Sequence, residues 1–323
     1  MFIKSLAAIG GAAVMAASLV APAMAQDGPP AQQQLRDGAA ADDVLNNTTA
    51  VRGANSRLPP LPVRGRNQTP PPPTPEQNMA AAQQIATAAG AACQVTQANL
   101  LGVTAEQAST YEAACATGPG FILINSTPPQ AIDCVLLAGQ ADIERGRNPA
   151  AVVGTQCTLP QNTDVVRVVA AYATEAGIPC RVDQGASIGR STAGNLIYEV
   201  GCTDADGFWI EKVAAGWEKT ECSVIITQNA ACRFSTVAEQ ASTLKGRLTG
   251  SEAAPCDVTQ GRYMGANANG SFYEAKCGAG NGLIVRFDTA FAVQQVYPCE
   301  TAHRIGGGCT LTVVAPAPAA TEQ

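Results

Sequence analysis

The sequence predicts an α+β fold used three times in tandem, each copy a helix followed by a small antiparallel β-sheet of three to four strands stapled by two disulfides. Three observations predict it. Twelve cysteines fall into three sets of four. A Tyr-Glu-x-x-Cys run recurs, as Tyr111-Glu112 before Cys115, Tyr198-Glu199 before Cys202 and Tyr273-Glu274 before Cys277. Five residues after each of those cysteines stands a glycine and an apolar triplet: Gly120-Phe121-Ile122-Leu123, Gly207-Phe208-Trp209-Ile210 and Gly282-Leu283-Ile284-Val285. Self-similarity at a near-constant period is the signature of a repeat array.

Residues 1–25 read as a signal peptide. Lys4 supplies a positive start, Ser5 to Ala21 is apolar and small, and Ala23-Met24-Ala25 suits a leader peptidase cutting before Gln26. Residues 26–73 are rich in Pro, Gln, Asn and Asp and hold no aromatic residue, so they read as a disordered linker, locally polyproline II near Leu58-Pro59-Pro60 and at Pro70 to Pro73. The flexible tail 315–323 has the same character.

The copies span 74–158, 159–233 and 234–314. Each opens on a helix. Thr74-Pro75-Glu76-Gln77 joins an N-cap, a proline at the first helical position and a capping-box partner, with Gly90 as the stop. Asp164 to Ala176 sets Val165, Val168, Val169 and Tyr172 on one side before Gly177, and Thr236-Val237-Ala238-Glu239 is a second capping box. A hairpin follows, its strands joined by Cys93–Cys115, Cys180–Cys202 and Cys256–Cys277. Pairing those cysteines directly opposite one another sets Val95, Val182 and Val258 across from Ala113, Val200 and Ala275, and Gln97, Gln184 and Gln260 across from Tyr111, Tyr198 and Tyr273. In that register the glutamates Glu112, Glu199 and Glu274 alternate outward, onto a solvated face. The next turns are expected at Pro119-Gly120, Asp206-Gly207 and Asn281-Gly282. Cys134–Cys157, Cys222–Cys232 and Cys299–Cys309 close the copies. Units of this length are short of core, and two crosslinks each make up for it.

The formal charge of -6 gives no basic footprint for nucleic acid or an anionic membrane, and no segment after the leader is long and apolar enough to span a bilayer. There is no CxxC, the nearest cysteines are ten apart, and His303 is the only histidine, so zinc, haem and thioredoxin spacings are absent and no metal or cofactor is expected.

Gly185-Ala186-Ser187-Ile188-Gly189 matches the GxSxG of serine hydrolases, but it falls inside an expected strand, and the positions equivalent to Ser187 hold Leu100 and Tyr263. His303, the natural general base, sits alone in a loop. The middle residues of the triplets, Ile122, Trp209 and Ile284, point away from their neighbours and need a cover, either a packed neighbouring copy or a partner, with Trp209 and nearby Trp217 as aromatic anchors. The sequence thus points to an exported, periplasmic or secreted, non-enzymatic protein that binds an envelope or extracellular protein or polysaccharide. An inhibitor of a secreted hydrolase, and a hydrolase using Ser187, are the other readings.

Overall fold

The computed structural model describes residues 72–313, so the leader, all but the end of the linker, and the tail lie outside the described residues. Within them are three four-stranded antiparallel sheets, each in simple chain order, together with helices and six disulfides. Copy one holds α1 (Pro75–Ala88), β1 (Val95–Val103), β2 (Ser109–Cys115), β3 (Phe121–Ile124), β4 (Gln130–Asp133) and α2 (Cys134–Arg147). Copy two follows, with α3 (Pro160–Thr163), α4 (Val165–Glu175), β5 (Val182–Arg190), β6 (Leu196–Cys202), β7 (Ala205–Val213), β8 (Gly216–Glu221) and α5 (Cys222–Ile225). Copy three holds α6 (Val237–Leu248), β9 (Val258–Asn267), β10 (Gly270–Cys277), β11 (Leu283–Phe287) and β12 (Val293–Pro298).

The opening helices begin where the caps demand. Thr74 and Thr236 each accept the backbone N–H three residues on, while Gln77 and Glu239 reach back to the cap nitrogen. Asp164 caps α4 through the Arg167 amide. Each of the three helices lays its apolar side on its own sheet. The approach is close where the first strand carries glycine: a Cβ at Gly185 would fall 2.7 Å from Val169, and one at Gly261 would fall 2.9 Å from Leu244. Copy one reverses the sizes, with Ala98 on the strand and Ala82 on the helix.

The hairpin register differs from the expected one. Val182 pairs with Cys202, Gly185 with Val200 and Ser187 with Tyr198, and the first and third copies follow suit with Ala98 to Ala113, Leu100 to Tyr111, Gly261 to Ala275 and Tyr263 to Tyr273. The Gln–Tyr pairs therefore do not form. The cause is two bulges in the first strand, which carry extra residues past the partner. The recurring glycine sits at the second of them, with φ of 121° at Gly189 and 128° at Gly265, a conformation that favours glycine. The second turn of copy two also moves: Cys202 pairs with Ala205, so the chain reverses at Thr203-Asp204, and Asp206-Gly207 lies within β7.

The copies stack as alternating layers. α2 packs along β5 as well as on its own copy, and Val135 joins the core of copy two. α6 covers both β9 and the far face of β7. Helices thus fill the space between successive sheets, an arrangement in which each copy buries the next.

Candidate functional site

The repeated glutamates are the most unexpected groups in the molecule. They were expected on a solvated face, yet Glu112, Glu199 and Glu274 are at most 1% exposed. The reason is the chain after the last cysteine of each copy, which crosses that face and turns two backbone amides onto the carboxylate. Glu112 accepts from Thr158 N (2.7 Å) and Leu159 N (2.8 Å), and from Thr158 Oγ1 and Asn162 Nδ2. Glu199 accepts from Arg233 N and from Phe234 N (2.7 Å). Glu274 accepts from Thr310 N (2.8 Å) and Leu311 N (2.6 Å). A buried carboxylate is tolerable only with such donors. The boundaries expected from the sequence at 158/159 and 233/234 fall between the two amides that each glutamate accepts.

A strand carbonyl, joined by the strap in the first and third copies, explains the glycine ahead of each apolar triplet. A Cβ at Gly120 would meet Asn162 Oδ1 at 1.9 Å, one at Gly282 would meet Thr312 Oγ1 at 2.3 Å, and one at Gly207 would meet the Val200 carbonyl at 2.6 Å. Beside each carboxylate lies the closing disulfide. In all three copies one carboxylate oxygen and the two sulfurs lie within 4.8 Å of one another, but the sulfurs are bonded to each other, and Oε1 of each carboxylate is taken by amides. The six disulfides have Cα–Cα separations of 5.0 to 5.8 Å, ordinary for such bonds.

Charge is held differently in the second and third copies. Burial pushes the Glu199 carboxyl above its usual range, and the Phe234 and Arg233 amides offset only part of that. At Glu274 burial pushes the same way, but the Thr310 amide, the Arg262 guanidinium and the Leu311 amide outweigh it and the carboxyl titrates low. Arg262 donates to it at 2.9 and 2.7 Å.

A second group of polar residues joins the copies. Asp133 caps α2, accepting from the Val135 and Leu136 amides, and burial lifts its carboxyl to about 6. Glu221, the residue before Cys222, is paired with Arg247 and accepts the Tyr273 hydroxyl at 3.0 Å. Asp206, also pushed up by burial, accepts from Ser235 Oγ and Ser223 N. Around it Ser223, Gln240, Thr243, Arg247 and Tyr273 enclose about 10 Å³, room for one water.

Of the residues proposed to meet a partner, Ile122 is 1% exposed and sits under α2 of its own copy with Leu137 and Cys157, and Ile284 is fully buried. Neither is available to a partner, because the closing segment of the same copy lies over that face. Trp209, half-buried, stands across the ladder from Glu199. Trp217 packs on Tyr172 at 5.0 Å and donates to Glu175, with Lys212 over its ring at 4.3 Å. It is a flank of the copy-two core. Ser187 is buried in the middle of β5 beneath Gly139 and is not on a strand-to-helix turn, while His303 is exposed in copy three. No helix of the described residues is long and apolar enough to cross a membrane. No protein-family model, curated protein or solved structure matches this chain.

Sequence reasoning placed the glutamates outside although one signal pointed the other way. Glu112, Glu199 and Glu274 are identical in all three copies, and they share a face with Ile122, Trp209 and Ile284. A carboxylate beside residues that need a cover needs one too.

Proposed function

We propose that this chain is an exported, non-enzymatic binding protein of the cell envelope or extracellular medium, its stacked copies forming a rigid scaffold for contacts with another macromolecule. Six closed disulfides favour an oxidising compartment, in keeping with the leader read from residues 1–25. The observation that carries the reading is the use made of the repeated chemistry. In every copy the acid, the closing cysteines and the glycine act together to fasten a loop onto a sheet, which supports a scaffold role for these groups. Three of the large apolar side chains exposed among the described residues lie together on one strand, β1, which supports a contact surface.

Affinity capture on the purified exported protein tests this, using isolated envelope proteins and polysaccharides of defined composition. Saturable retention of one class is expected. No retention of any class, together with covalent labelling of Ser187 by a fluorophosphonate, would overturn the reading in favour of a hydrolase. Stoichiometric loss of a secreted protease's or lysozyme's activity on titration would move it to an inhibitor.

A further inference from the structure

The two internal junctions share a plan. An acid precedes the third cysteine of the copy, Asp133 before Cys134 and Glu221 before Cys222, and the helix that starts at that cysteine meets the first strand of the next copy. At the first junction α2 lies so close to β5 that a Cβ on Gly139 would fall 2.3 Å from the Ser187 carbonyl oxygen, while Val135 packs with Val168, Val169, Tyr198 and Ile210. Ser187, which faces Gly139, is buried as a result. At the second junction the Tyr273 hydroxyl donates to Glu221.

Copy one presents the same surface with nothing on it from the described residues. Asn99 and Leu100 stand where copy two has Ala186 and Ser187, and Leu100, Leu101 and Val103 are 37%, 42% and 42% exposed. Tyr111 and Ile85, the counterparts of Tyr198 and Tyr172, line an open pocket of about 220 Å³. β1 is an edge strand of nine residues without a charge, and edges of that kind are normally guarded.

The details select the occupant. β5 carries the same two bulges as β1 and receives a helix, and bulges twist an edge away from an added strand. Residues 72–144 contain no Lys or Arg, whereas at the second junction Arg247 receives Glu221, so copy one has no cation to receive an acid at this position. A second copy of this chain does not offer the helix from its last repeat, because Pro298 holds the acid's place and no helix follows Cys299 among the described residues.

We propose that the uncovered side of β1, from Leu100 to Val103, docks a helix of a partner protein whose contacting face is aliphatic and uncharged, with a small residue where α2 carries Gly139. This rests on the binding reading above and names its surface.

The test uses the purified exported protein and a stapled synthetic helix of the 134–147 sequence with Cys134→Ala. Saturable binding is expected, weakened at least tenfold by the double variant Leu100→Lys/Leu101→Lys and equally by Gly139→Val in the peptide, which leaves the protein untouched. Absence of saturable binding, or binding indifferent to both changes, overturns the site. So do two other outcomes: a dimer of the protein that Leu100→Lys/Leu101→Lys dissolves, which makes a second copy the occupant, and peptide binding seen only after residues 26–71 are removed, which makes the chain its own occupant. Capture of an envelope component that survives the double variant would leave the binding function standing and this surface refuted.

Discussion

Glu199 and Glu274 occupy one position in two copies of the same fold, are equally closed to solvent, and accept the same pair of amides, yet their affinities for a proton shift in opposite directions. The difference lies across the ladder. Arg262 pairs with Glu274, whereas Ala186 pairs with Glu199 and Asn99 with Glu112. The repeat geometry places the carboxylate, and a non-repeated residue on the first strand supplies it with a guanidinium in the third copy. Copy two instead has Arg233, 3.8 Å away with 41% of its side chain exposed.

Removing the carboxylate should give the largest effect. Glu274→Ala leaves two buried amides without an acceptor and the Arg262 guanidinium with only the Gly308 carbonyl, and a loss of about 3–5 kcal/mol is expected in urea unfolding. Glu199→Ala strands the amides alone and should cost about 2–3 kcal/mol. Equal losses would mean that Arg262 adds nothing and that the comparison is wrong. Arg262→Ala sharpens it: the Glu274 carboxyl should then titrate above its usual range, as Glu199 does, read by carbon-13 NMR of the labelled carboxylate.

The glycines come next. Gly120→Ala and Gly282→Ala set a methyl against both the strap and a strand carbonyl, at 2.7 Å from the Ala113 and Ala275 oxygens, and should destabilise by about 1–3 kcal/mol through overpacking. At Gly207 the strap side chain stands further off, with Ser235 Cβ at 3.5 Å, so Gly207→Ala should cost least of the three in the same measurement.

How much of this was legible in the sequence follows from the kind of information each feature needs. Cysteine spacing, the Thr74 and Thr236 capping boxes and the Gly-apolar triplets act within a few residues, and they led to three sheet units with helices and disulfides. The register was lost because a bulge leaves no mark but a glycine, and Gly189 and Gly265 read equally well as turn residues. The burial of Glu112 was hidden for a different reason. Its donors, Thr158 and Leu159, lie 46 and 47 residues away, and backbone amides have no sequence signature. The cover for Ile122 came from α2, a helix of copy one that copy three lacks and copy two shortens to four residues, so comparing the copies could not reveal it.

Acid should separate the copies again. For Glu274 the folded carboxyl titrates below the usual 4.5, so its contribution is complete above that value and is lost as pH falls below it. For Glu199, Asp206 and Asp133 the folded state holds the proton more tightly than the unfolded chain, so their contribution is largest at low pH and falls as pH rises; for Asp133 the window runs from 3.8 to about 6. Both tryptophans, Trp209 and Trp217, lie in copy two, so their fluorescence reports that copy. The urea midpoint followed this way should rise between pH 7 and 5, by about 1 kcal/mol in free energy from Asp133 if the copy unfolds with its junction, and Asp133 reaches its full contribution of about 3 kcal/mol only below pH 3.8. Protection of the Thr310 and Leu311 amides, measured against the intrinsic exchange rate at each pH, should fall only below about pH 4.5. A tryptophan midpoint that falls steadily from pH 7 downward would contradict the buried carboxylates of copy two.

The smallest effect tests the other side of the comparison. Arg233 and Glu199 form an ion pair by distance, but the arginine side chain is 41% exposed and reaches the carboxylate only through Nε at 3.8 Å. Solvent screens such a pair, and its worth is typically about 0–1 kcal/mol. Arg233→Ala keeps the backbone N–H, which is the group that Glu199 accepts directly. The substitution should therefore change the urea midpoint by less than about 0.5 kcal/mol and barely move the Glu199 titration. Arg262→Ala removes two charge-assisted hydrogen bonds to a fully buried oxygen and should cost about 2–3 kcal/mol. If the two arginine variants lose the same stability, the opposite shifts of the two glutamates come from something other than the residue across the ladder.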